Sequence, residues 1–581
     1  MEREKANEDG SIEYHLFWKF ARHHMEFYIG YIVCTLIAFP IQFITMPVAM
    51  SKLGFGLVQK GQTPTCKDKI SMWDGKFSSL WRSDNIGGMT NIIVGGWVLL
   101  AFLWCVRESI IRYIAPKHAI HVRKEIYAAL MRRYEQEYEE IPGGDVIVRI
   151  LRISELYVYK SEWILQDMIP YGIGYGIFIL YCFKVHWKIG AAVVGGSALT
   201  GIGVAALTTA LLNASDNREA KLLESSQNMT DSFSNLMNVY INNETTNEIE
   251  RGKKWQDTYG ESWLSEMRVA RNMNIITMST TVLTFGVAFG IIIALMKQKK
   301  ISGLIGGSLI VIYVIFINWM QSLFLALPQS LKRLGTLQNA MPFLKNIFRD
   351  TTNENRTVRS GIKDGAIVFE NVTFQYPKAK TKKPVLQDFS MQIDNREKVA
   401  IVGQSGSGKT TVIKLLLQLY QQQSGSITIG GQDATKLELE YLRNSVNYVN
   451  QRTTMHDIPI VDNILFGNTH TTAKDVETML ETYHLTSIFA SIGGIRASAG
   501  INGANLSLGM QKCVLVLRGV LKRGFVIVFD EPVAGLDAET SKKIMNLIQH
   551  TCKDRTVICI THKSEAVQQF VNRTIVFKQI A

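Results

Sequence analysis

Val399-Ala400-Ile401-Val402-Gly403-Gln404-Ser405-Gly406-Ser407-Gly408-Lys409-Thr410 is an apolar run that passes into a glycine-rich octapeptide, and Thr411-Val412-Ile413-Lys414-Leu415-Leu416-Leu417 follows it directly. The order strand, GxxxxGK[ST], helix is the context that a phosphate-binding loop requires. Gly403, Gly406 and Gly408 let backbone N–H groups wrap phosphates without side-chain obstruction, and the start of the helix adds positive potential. In this reading Lys409 reaches the β- and γ-phosphates and the Thr410 hydroxyl takes Mg²⁺, while Gln404, Ser405, Ser407 and Thr411 complete the nucleotide contacts. The expected cofactors are ATP and Mg²⁺.

Two further apolar runs downstream end in polar groups. Phe525-Val526-Ile527-Val528-Phe529 leads into Asp530-Glu531. Asp530 is placed to hold Mg²⁺ through water, and Glu531 to polarise an attacking water as general base. Val557-Ile558-Cys559-Ile560 leads into Thr561-His562, where His562 is a candidate to contact the γ-phosphate and hold that water. From Asp364 onward short β-branched strands alternate with helices, which predicts an α/β domain.

The first 345 residues read differently. The chain of 581 residues is 47% apolar and 19% charged, against roughly 25% charged in soluble chains. Six stretches approach the ~20 apolar residues that cross a ~30 Å hydrocarbon layer: Phe27–Met50, Met89–Val106, Met168–Phe183, Ile189–Leu212, Ile275–Met296 and Ser302–Leu327. The fold class expected is therefore a membrane all-α region of six transmembrane helices joined to a cytosolic α/β P-loop nucleotide-binding domain. The boundaries read as 1–345 for the membrane domain with an N-terminal cytosolic tail, 346–363 for a linker, and 364–581 for the nucleotide-binding domain.

About five residues join the third and fourth spans, and likewise the fifth and sixth. About 60 polar, helically periodic residues separate spans two and three, and four and five. Long stalks thus project on one side, and short hairpins close the other. The hairpins carry Lys184, Lys188, Lys297, Lys299 and Lys300, so a count of positive residues alone would place them on the cytosolic face. The need of the C-terminal domain for cytosolic ATP overrides that count. The formal net charge of +13 comes with no compact basic block interleaved with aromatics, so a lipid bilayer is the expected partner and nucleic acid is not. The seven cysteines show no metal spacing, and Cys34, Cys105 and Cys182, in apolar runs, read as small buried side chains. The first span is too long for the core of a cleavable signal and reads as a retained anchor.

Together these motifs resemble the nucleotide-binding domain of ATP-binding cassette (ABC) transporters. Leu506-Ser507-Leu508-Gly509-Met510 stands where that family usually has Leu-Ser-Gly-Gly-Gln. The resemblance implies that Ser507 and the Gly509 amide reach the γ-phosphate of a nucleotide on the opposite subunit. It further implies that Tyr376 stacks on adenine, that Gln451 senses Mg²⁺ and links to the membrane domain, and that Asp537 belongs to a loop crossing the dimer interface. The acidic segment usual just before the signature is missing, with Ile501 at the relevant place.

The membrane half resembles the exporter-type domain of the same family. The stretch Asp231–Leu236 with Asn242-Asn243-Glu244 is similar to the mitochondrial iron–sulfur-export and heavy-metal branch. One phosphate loop and one signature per chain imply a half-transporter that works as a homodimer, or beside a related half-transporter. The expected function is ATP-driven export of an unknown transported substrate by an integral, multi-pass protein. A nucleotide-gated channel or regulatory subunit with slow hydrolysis is the alternative. Asn318, Gln321, Thr277, Thr281 and Thr284 are polar positions that either face a cavity or join helices.

Overall fold

The structure is a computed structural model that describes residues 11–50, 53, 86–136, 143–349, 356–377, 383–404, 406–451, 454–561 and 565–577. It divides into two compact units, Met1–Arg133 with Glu140–Arg349, and Tyr134–Glu139 with Asp350–Ala581.

The first unit is helical. Its main helices are α1 (Met25–Met50), α2 (Ile86–Gln136), α3 (Val146–Val185), α4 (Trp187–Ser234), α5 (Thr245–Lys297) and α6 (Gly303–Phe348). The first five are long and apolar enough to cross a membrane, by length and composition. The sixth expected span falls in α6, whose uninterrupted apolar segment among the described residues is the shorter Ile305–Ile317. At 1.5 Å per residue the 48 residues of α4 extend about 70 Å, more than twice a ~30 Å hydrocarbon layer. Much of α4 therefore lies beyond any bilayer it spans, as the polar periodicity requires.

The turns follow local chemistry. His186 adopts an extended backbone between α3 and α4, and its ring accepts from the Lys188 N–H. Ser302 caps α6 by accepting from Ile305 N–H. The six-residue helix Leu236–Ile241 joins α4 to α5. The described part of the N-terminal segment is helical. Its Phe20 ring stacks on His118 of α2 at 4.8 Å, and His118 Nε2 lies 3.0 Å from the Leu16 carbonyl. Cys182 is buried and Cys34 half-buried, but Cys105 is exposed on α2, on an outward-facing side of that helix.

Small residues and rings pack the helices. A Cβ at Gly174 would come within 2.7 Å of the Trp319 indole, so glycine there lets α3 approach α6. Phe178 stacks on Phe316 at 4.3 Å. Thr277, Thr281 and Thr284 each donate to a carbonyl of their own helix, three or four residues back. The side chains of Asn318 and Gln321 lie outside the described residues.

The stalk contains a charge that water cannot reach. Glu266 on α5 is 1% exposed and sits 2.9 Å from Arg218 Nε of α4 and 2.8 Å from Lys332 Nζ of α6. One carboxylate thus ties three helices. Removing it leaves two largely buried cations without their counter-charge, which typically costs about 3–5 kcal/mol. Glu266→Ala is expected to lower the thermal midpoint of the detergent-solubilised protein by several degrees. Replacing Glu266, Arg218 and Lys332 together by methionine should recover most of that loss; a triple variant no more stable than Glu266→Ala would exclude the ion triad as the cause.

The second unit holds two sheets. Its strands are β1 (Ile367–Phe374), β2 (Leu386–Ile393), β3 (Lys398–Gly403), β4 (Ser424–Ile429), β5 (Gln432–Asp433), β6 (Val446–Val449), β7 (Val526–Asp530), β8 (Thr556–Ile560) and β9 (Arg573–Phe577). One sheet is antiparallel with order β2-β1-β4-β5, and the other is parallel with order β6-β7-β8-β3-β9. All five residues of β7 and of β8 are buried, as near-continuous apolar runs in a covered parallel sheet demand. The parallel arrangement brings the carboxyl ends of β3, β6, β7 and β8 to one edge, where ligands of open α/β sheets bind.

Candidate functional site

The loop after β3 opens α7 (Lys409–Leu416), whose N-cap Gly408 has φ +93°. Gly406 has φ +81°, and a Cβ there would meet nothing within 4 Å, so the loop's outer face is clear. At Gly403 a Cβ would strike the Phe577 carbonyl at 2.7 Å and Ser407 Oγ at 2.9 Å, so only glycine lets the loop leave β3 at that angle. Lys409 is 7% exposed, and its ammonium donates to the carbonyls of Gly403 and Gln404 at 2.8 Å each. Ser407 Oγ is buried without a hydrogen-bond partner among the described residues. A buried orphan hydroxyl, a lysine bound to its own loop and a free helix start make a cradle suited to phosphate oxygens. Thr410 is exposed beside it, and Ser405 lies outside the described residues.

Asp530 ends β7 and Glu531 follows it. The Glu531 N–H donates to the Ile560 carbonyl at 2.9 Å, extending the β7–β8 ladder by one residue. Glu531 then turns into the left-handed region, φ +51°, which is uncommon for a residue with a Cβ. Gln451, just beyond β6, donates from its side-chain amide to the Glu531 carboxylate. Two residues picked from separate motifs are thus brought together. His562 lies outside the described residues; Thr561 before it donates its N–H to the Ile401 carbonyl at 3.2 Å.

Two partners escaped the sequence reading. The Tyr448 hydroxyl donates to Asp530 Oδ2 at 3.1 Å, across the β6–β7 pairing. Burial pushes the Asp530 carboxyl above the ordinary aspartate range, the Tyr448 donor pulls it back, and the Glu531 charge raises it again. Lys512, on α8 (Leu508–Leu521), donates its ammonium to the Glu531 carbonyl. Burial lowers the Lys512 pKa, while Glu531 and Asp530 act in the opposite sense. Lys512 lies one helical turn after Leu508, a spacing that would have marked it had the end of β7 been known to pass there.

The remaining candidates fall into two groups. Tyr376 is half-buried, with its hydroxyl 3.0 Å from Thr411 Oγ1 and Lys414 Nζ 5.7 Å above its ring, so it stands beside the phosphate loop. Ser507 caps α8, its hydroxyl accepting from Met510 N–H at 3.3 Å. A Cβ at Gly509 would touch Leu536 at 3.4 Å, which sets the signature beside the loop holding Asp537. Asp537 caps α9 (Ala538–Thr551) by accepting from Thr540 N–H at 2.8 Å, and that bond holds its carboxyl below the usual range.

The family model described as ABC transporter matches residues 386–534, which include the loop, Gln451, the signature and the Asp530-Glu531 pair. Residues 386–534 thus form an ABC transporter domain. A putative export ATP-binding/permease protein of Rickettsia felis is 23% identical over 494 residues, 81% of each chain. The mitochondrial iron-sulfur clusters transporter ATM1 of Debaryomyces hansenii is 36% identical over 206 residues, 35% of this chain and 29% of that one. A solved bacterial Atm1-family ABC exporter with ATP bound matches with a TM-score of 0.77 and 19% identity, covering 96% of this chain and 94% of that one. The chain thus has the fold of that exporter along nearly its whole length, with apolar helices of a multi-pass membrane protein and an ATP-binding α/β unit.

Lys512 offers a test of the site's construction. A hydrogen bond from a charged donor contributes about 1.5–3 kcal/mol. Lys512→Met is expected to lower ATP turnover about tenfold or more, with the affinity for a fluorescent ATP analogue kept within about threefold. Equal losses in turnover and affinity would place Lys512 in nucleotide binding instead.

Proposed function

We propose that this chain is an ABC transporter that couples ATP hydrolysis to export of a substrate across a membrane, as a homodimer or beside a related half-transporter. The observation that carries the reading is Glu531, whose carboxylate accepts from Gln451 and whose main-chain carbonyl accepts from Lys512, at the edge that also presents the phosphate loop. Glu531 acts as general base toward the attacking water, and Gln451 orients its carboxylate. Lys409 exchanges its loop carbonyls for phosphate oxygens. Tyr376 supplies a ring for adenine, and Ser507 and Gly509 serve a nucleotide held by the other copy. The nucleotide-binding unit lies on the ATP-containing, cytosolic side.

The residues present fit Mg²⁺. Thr410, Asp530 and Gln451 offer only oxygen ligands, the set a hard cation prefers. Among the described residues no cluster of three or more His, Cys, Asp or Glu is able to hold a metal ion alone, which suits a cation shared with phosphate oxygens. Bound there, Mg²⁺ supplies charge neutralisation at the transferring phosphoryl group.

Similar proteins do not share one cargo. One is named an iron-sulfur clusters transporter, and another, 31% identical over 221 residues, an ATP-dependent lipid A-core flippase of Methylobacillus flagellatus. One observation favours a slow-hydrolysis channel or regulatory subunit as a second reading. Leu508 is 74% exposed at a signature position usually occupied by glycine, so a bulky side chain stands at the face meant for the second copy.

Glu531→Gln separates the readings. Export predicts a loss of about 10²–10⁴-fold in turnover with ATP binding retained. Wild-type turnover in this variant would sink the hydrolytic mechanism.

The buried aspartate gives a pH test. Asp530 works as the carboxylate, so turnover is lost as pH falls through its raised pKa. Tyr448→Phe removes the donor that lowers that pKa, and the acid limb of the pH–turnover profile should move to higher pH. An unmoved limb would show that Asp530 does not govern it.

A further inference from the structure

Helices α3, α4, α5 and α6 line a half-open cavity of about 430 Å³, within the roughly 300–1,000 Å³ range of pockets for drug-sized molecules. Aromatic rings make up much of its wall, among them Tyr171, Tyr175, Phe178, Tyr313 and Phe316. Gly172 and Gly201 also line it, and a Cβ at either would meet nothing within 4 Å. Glycine at these two places is therefore not needed for helix packing, unlike Gly174, and what it leaves open is room in the cavity.

The serine and threonine hydroxyls of the wall are all used. Ser197, Thr200, Thr281 and Thr284 line the cavity, and each donates its proton to the carbonyl one turn earlier, at 2.7, 3.1, 2.7 and 2.7 Å. They present lone pairs and no free O–H. The Tyr175 hydroxyl differs from them, being buried with no hydrogen-bond partner among the described residues. An unpaired buried hydroxyl typically costs about 1–3 kcal/mol, which a ligand acceptor would offset. None of the described lining residues carries a charge. A charged ligand placed here would lose its hydration and gain no counter-ion, a penalty of several kcal/mol per ion.

We infer that this cavity is the substrate site, and that its substrate is an uncharged, largely apolar molecule with a flat ring system and an acceptor for the Tyr175 hydroxyl. The inference rests on the export reading given above. It rejects multiply charged thiol conjugates and acidic peptides. Ring faces suit a flat apolar body, since offset and edge-on aromatic contacts add to simple burial.

Equilibrium binding of radiolabelled oestradiol to the purified full-length protein, measured without nucleotide, tests it. Oestradiol is neutral, ringed and hydroxylated. Wild type should bind it saturably. Gly172→Leu and Gly201→Leu, which fill the cavity, should each weaken binding at least tenfold. Tyr175→Phe should weaken it about three- to tenfold. Gly286→Leu, at an exposed position of α5 outside the cavity with open space for a Cβ, should bind as wild type. Oxidised glutathione at millimolar excess should not displace the label.

Displacement by oxidised glutathione would overturn the proposal, as would wild-type binding in both cavity-filling variants. A loss in Gly286→Leu equal to that in Gly201→Leu would also overturn it, because binding would then not depend on the cavity. No ATP is present in this assay. Failure here is therefore separate from failure of the export reading, which is judged on Glu531→Gln turnover.

Discussion

The backbone of Glu531 is held in the left-handed region, at a cost of about 1–3 kcal/mol for a residue with a Cβ, and the geometry of the nucleotide site depends on that turn. Three contacts keep it there. The β7–β8 ladder takes its N–H, Lys512 takes its carbonyl, and Gln451 takes its carboxylate. The ladder fixes the residue's position and Lys512 its peptide plane, while Gln451 aims the side chain. Because Lys512 rides on α8, whose first turn is capped by Ser507, Glu531 is tied to the helix that carries the signature.

Packing in the helical unit depends on size and charge in different places. Near Gly174 and Gly196 the helices approach closely because a Cβ would collide with Trp319 or Thr284. Farther along α5, Glu266 binds Arg218 and Lys332 where side chains are long and polar. Glycine contact depends on shape and is insensitive to salt or pH. The ion triad resists separation because parting it exposes uncompensated charge in a place water does not reach. Relative sliding of α4, α5 and α6 is thus most costly at the triad. It is freer around Gly201 of α4, where open space adjoins the backbone.

Features encoded within a dozen consecutive residues were legible in the sequence. The phosphate loop, the Asp530-Glu531 pair and the signature each carry their chemistry locally, and the strand–loop–helix context follows from the flanks. Tyr448 and Lys512 were not legible, because their roles exist only once β6 lies against β7 and α8 passes the end of β7. The Glu266 triad was hidden for the same reason, its members being brought together by three long helices. The helices themselves were visible from apolar length. The sixth, Ser302–Leu327, was read in the same way and lies almost wholly within α6. The threonines of α5 left two readings open, and both hold in part. Thr281 and Thr284 face the cavity, yet their protons are bound to their own helix.

The two departures in the signature are physically different. Met510 is 9% exposed and joins the core cluster that includes Ile460, Ile464 and Val514, so a flexible apolar side chain there fills space within one copy. Its replacement of a polar residue is accounted for by packing alone. Leu508 is 74% exposed and fills nothing in its own chain. A large apolar side chain left in water at the start of a capped helix gains stability only if another surface covers it. Ser507 and the Gly509 amide flank it, so whatever covers Leu508 must also pass close to both. A second copy presenting its nucleotide to Ser507 would do so, and the leucine would then add apolar burial to a contact otherwise made through phosphate.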